Sequence, residues 1–178
     1  LKCMVRMKKY RSYKGEVGKI APNVINRNFT ATKINQKWTT DITEISLHGE
    51  KLYLSPILDM YNSEIISYRI SNRPVLSLVL DMVDEAFKKL PDGTQLVFHS
   101  DQGWQYQHRA YQNRLKDKGV IQSMSRKGNC LDNSIMENFF GLLKSELLYL
   151  RKFSSMAEFR RELEKYIDYY NNKRIKSK

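Results

Sequence analysis

The chain is poor in the residues that staple small proteins or bind soft metals. Its two cysteines, Cys3 and Cys130, lie 127 positions apart and make no CxxC pair, which excludes a disulfide scaffold and a zinc knuckle. Three histidines, His48, His99 and His108, are scattered and complete no His/Cys zinc module. Apolar runs are far shorter than a bilayer span, and residues 1–15 are too interrupted by charge for a signal peptide. No membrane association is expected, and a reducing cytoplasm suits the cysteine usage. Without internal repeats or long low-complexity tracts, 178 residues suit one domain that buries its own core.

Positive charge, by contrast, is plentiful. Lys and Arg number 31 against 19 Asp and Glu, a formal net charge of +12, which points to a polyanionic partner. Residues 1–33 hold nine of the basic side chains against Glu16 alone, while Lys173, Arg174, Lys176 and Lys178 crowd the other end. The stretch between them is balanced, with 18 basic and 18 acidic side chains. A neutral core with basic ends reads as an enzyme flanked by nucleic-acid-gripping arms, or as a core whose ends only solubilise it. Residues 1–33 lack helical periodicity and read as a basic linker or the frayed end of a preceding domain, which the resemblance given below would make the remnant of an upstream DNA-binding region. The catalytic unit is expected over 34–178.

From Lys37 the pattern becomes β-rich: WTTDITEISL, LYLSPILDMY and EIISYRIS follow one another through short turns and predict an antiparallel three-stranded meander. Pro74 opens a helix with apolar positions from Val75 to Leu90, stopped by Pro91-Asp92-Gly93. TQLVFHS is a nearly continuous apolar strand, a helix spans about His108–Lys118, VIQSM is a short strand, and two apolar-faced helices end the chain. The order predicts an α/β sandwich with a five-stranded mixed sheet, three antiparallel strands then two added parallel, and helices on both faces. Right-handed crossovers place the strand ending at Asp101 beside the strand holding Asp41.

Three carboxylates stand out in that frame: Asp41 inside the first strand, Asp101 at a strand's carboxyl end, and Glu137 in the first turn of an apolar helix. Each has an ordinary reading, as an exposed strand acid, a turn residue and a solvated helix glutamate. Together they are the hard oxygen donors that a pair of divalent metals draws from distant segments, and metal pairs cut and join phosphodiesters. Exactly spaced motifs aside, several neighbours matter too. Lys144 lies two helical turns beyond Glu137 and reaches toward a phosphate, or is a solvated lysine beside Glu146. Arg126 and Lys127, on a loop with Gly128, clamp the substrate backbone or solubilise the loop. Asn133 is a helix cap that fixes Glu137, and is carried as a tentative DNA contact with the three basic residues. His99 is expected to pack or hydrogen-bond beside Asp101, and Asp59 and Glu44 are spare carboxylates of the meander.

With 35 residues between Asp101 and Glu137, the three acids resemble the DDE core shared by retroviral integrases and bacterial transposases. The blocks HSDQGWQY, QSMSRKGNCLDNSIMENFFGLLKSEL and EFRRELEKYIDYYNNKR resemble transposases of the insertion-sequence-three family, from about Ile34 to Lys178. Ser134 departs from the small residue, usually alanine, that follows Asp-Asn in that family. The resemblance implies a ribonuclease-H-like fold whose three carboxylates bind two Mg²⁺ or Mn²⁺ ions. It implies cleavage at DNA element ends and strand transfer by the freed 3′-hydroxyl, on double-stranded DNA, by a homo-oligomer associated with the nucleoid. It also implies a catalytic fragment, because an upstream helix-turn-helix region and a short terminal segment are not in the sequence. The rival expectations are a metal-dependent ribonuclease-H-like nuclease and a non-catalytic DNA-binding module derived from a transposase.

Overall fold

A computed structural model describes residues 18–175. Its elements run β1 (Lys37–Thr40), β2 (Thr43–Leu47), β3 (Glu50–Asp59), β4 (Ile65–Ser71), α1 (Leu76–Lys89), β5 (Val97–Ser100), α2 (Trp104–Gln107), α3 (Arg109–Asp117), β6 (Ile121–Met124), α4 (Ser134–Leu143) and α5 (Met156–Asn172). A 3₁₀ turn over Cys130–Asn133 leads into α4, and a π-helical turn over Lys144–Leu148 widens its end.

The sheet is mixed. β3 pairs antiparallel with β4 on one side and with β1 and β2 on the other; β5 then adds parallel to β1, and β6 parallel to β5. Because Thr40 faces Ile57 and Thr43 faces Leu54, β1 and β2 keep one register along β3 and act as a single interrupted strand. The six segments therefore occupy the five lanes expected. The interruption is a correction: Asp41 is not inside a strand but at the carboxyl end of β1. Its own Oδ1 accepts the next backbone N–H, Ile42, at 2.7 Å, a local bond that competes with the ladder. The β2–β3 hairpin closes through His48 (φ 50°) and Gly49 (φ 80°), two left-handed residues of the kind a two-residue turn needs.

Strand alternation then builds two cores. Trp38, Ile57, Phe98 and Met124 face α1 and α3, where Trp38 and Phe98 meet edge to face at 6.0 Å. Ile45, Leu52, Leu54 and Leu58 face α4 and α5, whose Met136, Phe139, Leu143, Phe159 and Leu163 keep helical spacing. Burying Met136, Phe139, Phe140 and Leu143 leaves Glu137 on the outward side of α4. Residues 18–33 form no helix or strand but lie against the core: Ile25 is buried, and Met124 N–H donates to the Pro22 carbonyl at 3.2 Å along the free edge of β6. The remainder of the basic stretch, residues 1–17, lies outside the described residues. Among the described residues no helix is long and apolar enough to cross a membrane.

Candidate active site

The sheet register brings the first two acids together. Thr39 of β1 is level with His99 of β5 in the parallel pair. Trp38 and Phe98 enter the core under α1, so the alternation turns Thr39 and His99 toward α4. Two residues on, the same alternation sends Asp41 and Asp101 to the α4 side at the carboxyl ends of adjacent parallel strands, where open sheets present their sites. Asp101 Oδ1 accepts the Gly103 N–H at 2.8 Å; a Cβ at Gly103 would stand 3.0 Å from that oxygen and 3.3 Å from Tyr106 Cδ2. Glycine fits the crowding there.

Both aspartates are half-buried, and among the described residues no lysine or arginine forms an ion pair with either. Burial chiefly, then the charge of Asp101 and to a lesser degree that of Glu137, raise the Asp41 carboxyl to about 7, against the Ile42 N–H that favours its ionised form. Burial likewise raises Asp101, opposed by the Gly103 N–H. Two neighbouring carboxylates without a protein cation suit a divalent metal: the donors are hard oxygens, and a cation would relieve both burial and repulsion.

Glu137 is tied to this pair through the residues before it. Asn133, one helical turn earlier, accepts from Thr39 Oγ1 at 2.6 Å and donates to the Thr40 carbonyl at 3.3 Å, immediately before Asp41. The carbonyl of Asp132 accepts from His99 Nε2 at 2.8 Å, two residues before Asp101. The start of α4 is thus stapled to both aspartate-bearing strands. Glu137 itself is exposed, near enough for its charge to raise Asp41. Among the described residues, however, no three His, Cys, Asp or Glu side chains converge into a ready metal cluster. Asp41 and Asp101 form the preassembled half of the site, and Glu137 stands beside it.

The remaining candidates divide. Asn133 does not cap α4: its side chain is buried and makes no cap bond, because Thr39 and Thr40 take the amide. Arg126 is not a free clamp, since its Nε and Nη2 bind Asp132 at 2.9 and 2.8 Å. Lys127 is exposed and Lys144 half-buried, and among the described residues neither ammonium has a protein partner. His99 is fully buried and bonded, and Asp59 is structural, accepting from Asn35 N, Trp38 Nε1 and Tyr61 N. Glu44 pairs at the surface with Lys51 and Tyr53.

Sequence reasoning passed over two features. Asp132 reads locally as a cap candidate, and its partners Arg27 and Asn23 are more than a hundred residues away. Tyr106 and Tyr111 are wholly buried, and among the described residues their hydroxyls make no hydrogen bond of good geometry, although Thr40 lies near the Tyr106 hydroxyl. Burial first, then Asp41 and Asp101, raise Tyr106 well above the usual phenol range, so a neutral donor lies beneath the aspartates. Tyr111 and Leu115, spaced i, i+4, form the inward face of α3, and that spacing says nothing of what the Tyr111 hydroxyl meets.

Known proteins share these elements. Residues 31–130 and 137–178 each match a family described as Integrase core domain. Over all 178 residues the chain is 56% identical to Escherichia coli (strain K12) transposase InsK for insertion sequence element IS150, of which it covers 63%. It is 39% identical over 171 residues to the transposase for insertion sequence element IS904 of Lactococcus lactis, covering 95% of this chain and 68% of that protein. The HTLV-2 integrase catalytic core in complex with magnesium superposes with a TM-score of 0.65 over 82% of this chain and 92% of that one, at 15% identity. That likeness establishes the ribonuclease-H-like fold. By sequence and fold together, the chain belongs to the integrase core domain family, on the branch of the insertion-sequence-three transposases.

Proposed function

We propose that this chain is the catalytic domain of a DDE transposase, a metal-dependent polynucleotidyl transferase that cleaves DNA at element ends and transfers the freed strand. The observation that carries the reading is the pair Asp41 and Asp101, level at the ends of adjacent strands, half-buried and, among the described residues, without an ion-pair partner, beside a helix stapled to both strands. Asp41, Asp101 and Glu137 would hold two Mg²⁺ or Mn²⁺ ions, which supply Lewis acidity at the attacked phosphodiester and at its leaving oxygen. The protein's own part is to fix the acceptors. Thr39, Thr40 and His99 hold the start of α4 against the strands, so the third carboxylate approaches along a defined direction. Asp41 must lose its proton to ligate, so metal binding should weaken as pH falls below about 7, and raising the metal concentration should offset that loss.

Lys144 and Lys127 are the phosphate contacts of the proposal, because neither ammonium group is paired among the described residues. The substrate is double-stranded DNA, element end and target, and a homo-oligomer in the bacterial cytoplasm, at the nucleoid, is the form that engages paired ends. The test uses the full-length protein with labelled duplexes bearing the element ends, target DNA and Mg²⁺. Joined products are expected from the wild type, and Glu137→Gln should retain DNA but join nothing. Hydrolysis without joining would refute strand transfer, and undiminished joining by Glu137→Gln would remove Glu137 from the site.

A further inference from the structure

We propose that Arg27 is a positioning residue for this site: through the buried carboxylate of Asp132 it fixes the turn from which α4 carries Glu137. This rests on Glu137 being a metal ligand, as proposed above. The assignment adds to the catalytic unit a segment that precedes the family match, which begins at residue 31.

Asp132 is the centre of the arrangement. Its side chain is 0% exposed and receives five donors. Oδ1 accepts from Arg27 Nε at 2.9 Å and Arg126 Nη2 at 2.8 Å. Oδ2 accepts from Asn23 Nδ2 at 3.0 Å, Arg126 N at 3.0 Å and Arg126 Nε at 2.9 Å. The Arg126 guanidinium, with Arg27 assisting, holds this carboxyl well below the usual range, so it stays charged. Arg27 also donates from Nη2 to Asn129 Oδ1 at 3.2 Å, which ties the same loop a second time.

The segment is seated to deliver that arginine. Asn26 and Arg27 are consecutive left-handed residues, φ 44° and 62°, a conformation that is uncommon for non-glycine residues. Just before them, Val24 N and Ile25 N both donate to Ser123 Oγ, at 2.9 and 3.3 Å. A hydroxyl that accepts twice has its own proton for His99 Nδ1, 2.8 Å away. His99 is then the tautomer that donates from Nε2 to the Asp132 carbonyl. The segment therefore holds Asp132 at both ends: the carboxylate through Arg27 and Asn23, the carbonyl through Ser123 and His99.

Apolar packing sets how far α4 stands from the sheet, but it is non-directional. The directional bonds on Asp132 and Asn133 set the axial position and rotation of its first turn, which decide where Glu137 points. Outer partners that orient metal ligands typically affect metal affinity about 10- to 100-fold.

The experiment compares full-length wild type with Arg27→Gln, Arg27→Lys, Asn23→Ala and Glu137→Gln. Mn²⁺ binding is followed by the electron paramagnetic resonance signal of free Mn²⁺, alongside the thermal midpoint and the Mg²⁺ dependence of joining. Arg27→Gln is expected to weaken Mn²⁺ binding roughly 10-fold and to raise the Mg²⁺ needed for half-maximal joining by a similar factor, with partial recovery in Arg27→Lys. Asn23→Ala, which removes one neutral bond to the same carboxylate, shifts both in the same direction by about two- to fivefold. It keeps the test open should Arg27→Gln fail to fold. Wild-type Mn²⁺ affinity in folded Arg27→Gln and in Asn23→Ala, with Glu137→Gln weakened, overturns the positioning role alone. Wild-type affinity in Glu137→Gln overturns the metal-ligand reading beneath it.

Discussion

Replacing Asp41 by Asn should make the metal-free protein more stable while removing its activity. Asp41 is raised from 3.8 to about 7 by burial and by Asp101, so the folded protein holds a proton that the unfolded chain has already released. For a raised acid the stabilising contribution is fully present below the unfolded value, and it is lost as pH rises through the folded one. The shift is about three units, and each unit is worth about 1.4 kcal/mol, so the ionised carboxylate costs at most about 4 kcal/mol at pH 8. At pH 5, where the native group is still protonated, the cost is about 1–2 kcal/mol, and near pH 3 it vanishes. Water reaches this half-buried group and its titration is shared with Asp101, which brings the pH 8 figure to about 2–4 kcal/mol. Asparagine keeps an oxygen for the Ile42 N–H, so that bond survives the change.

In a domain of this size 1 kcal/mol moves the melting midpoint by about 2–4 °C, so Asp41→Asn should melt roughly 5–15 °C above the wild type at pH 8 in EDTA. The two should converge as pH falls toward 3. Circular dichroism melts at pH 4, 6 and 8 measure this, and added Mg²⁺ should raise the wild-type midpoint at pH 8 far more than that of the variant. A variant that melts with or below the wild type at pH 8 would refute the reasoning, as would a pH-independent difference between them.

Asn133→Ala should cost roughly 1–3 kcal/mol in urea unfolding, because the buried Thr39 hydroxyl loses its acceptor. It should also slow joining without weakening DNA retention, and unchanged joining would separate the staple from the chemistry. Lys144→Ala should weaken DNA binding equally across sequences and reduce the salt slope by about 0.9, read from binding at several salt concentrations. An unchanged slope would make Lys144 an ordinary solvated lysine.

What the sequence revealed and what it hid follow from the range of the forces involved. Hydrophobic period and turn chemistry act over a few residues, and they were enough for the meander, α1, the β5 strand and the apolar face of α4. The handedness of crossovers then placed β5 beside β1, so the meeting of Asp41 and Asp101 was legible without coordinates. The break at Asp41 was not, because it turns on whether one carboxylate prefers its neighbour's N–H to a place in the ladder. Asn133 shows the same limit more sharply. Its position before an apolar helix is a local signal for a cap, yet Thr39 and Thr40, brought in by the sheet from more than ninety residues away, took the amide. Arg126 belongs with it: a basic loop beside a DNA site reads as a clamp, until Asp132 and Arg27 are found on its other side. Asn133 is held inward by partners that only the tertiary fold supplies, whereas Arg126 bonds to Asp132 six residues on, a carboxylate that the fold also ties to Arg27. The metal site proposed for Asp41 and Asp101 rests on the reverse observation, carboxylates that have no lysine or arginine in an ion pair among the described residues. A half-buried acid that, among the described residues, forms no ion pair with a lysine or arginine is a stronger pointer to a bound metal than its spacing from the next acid.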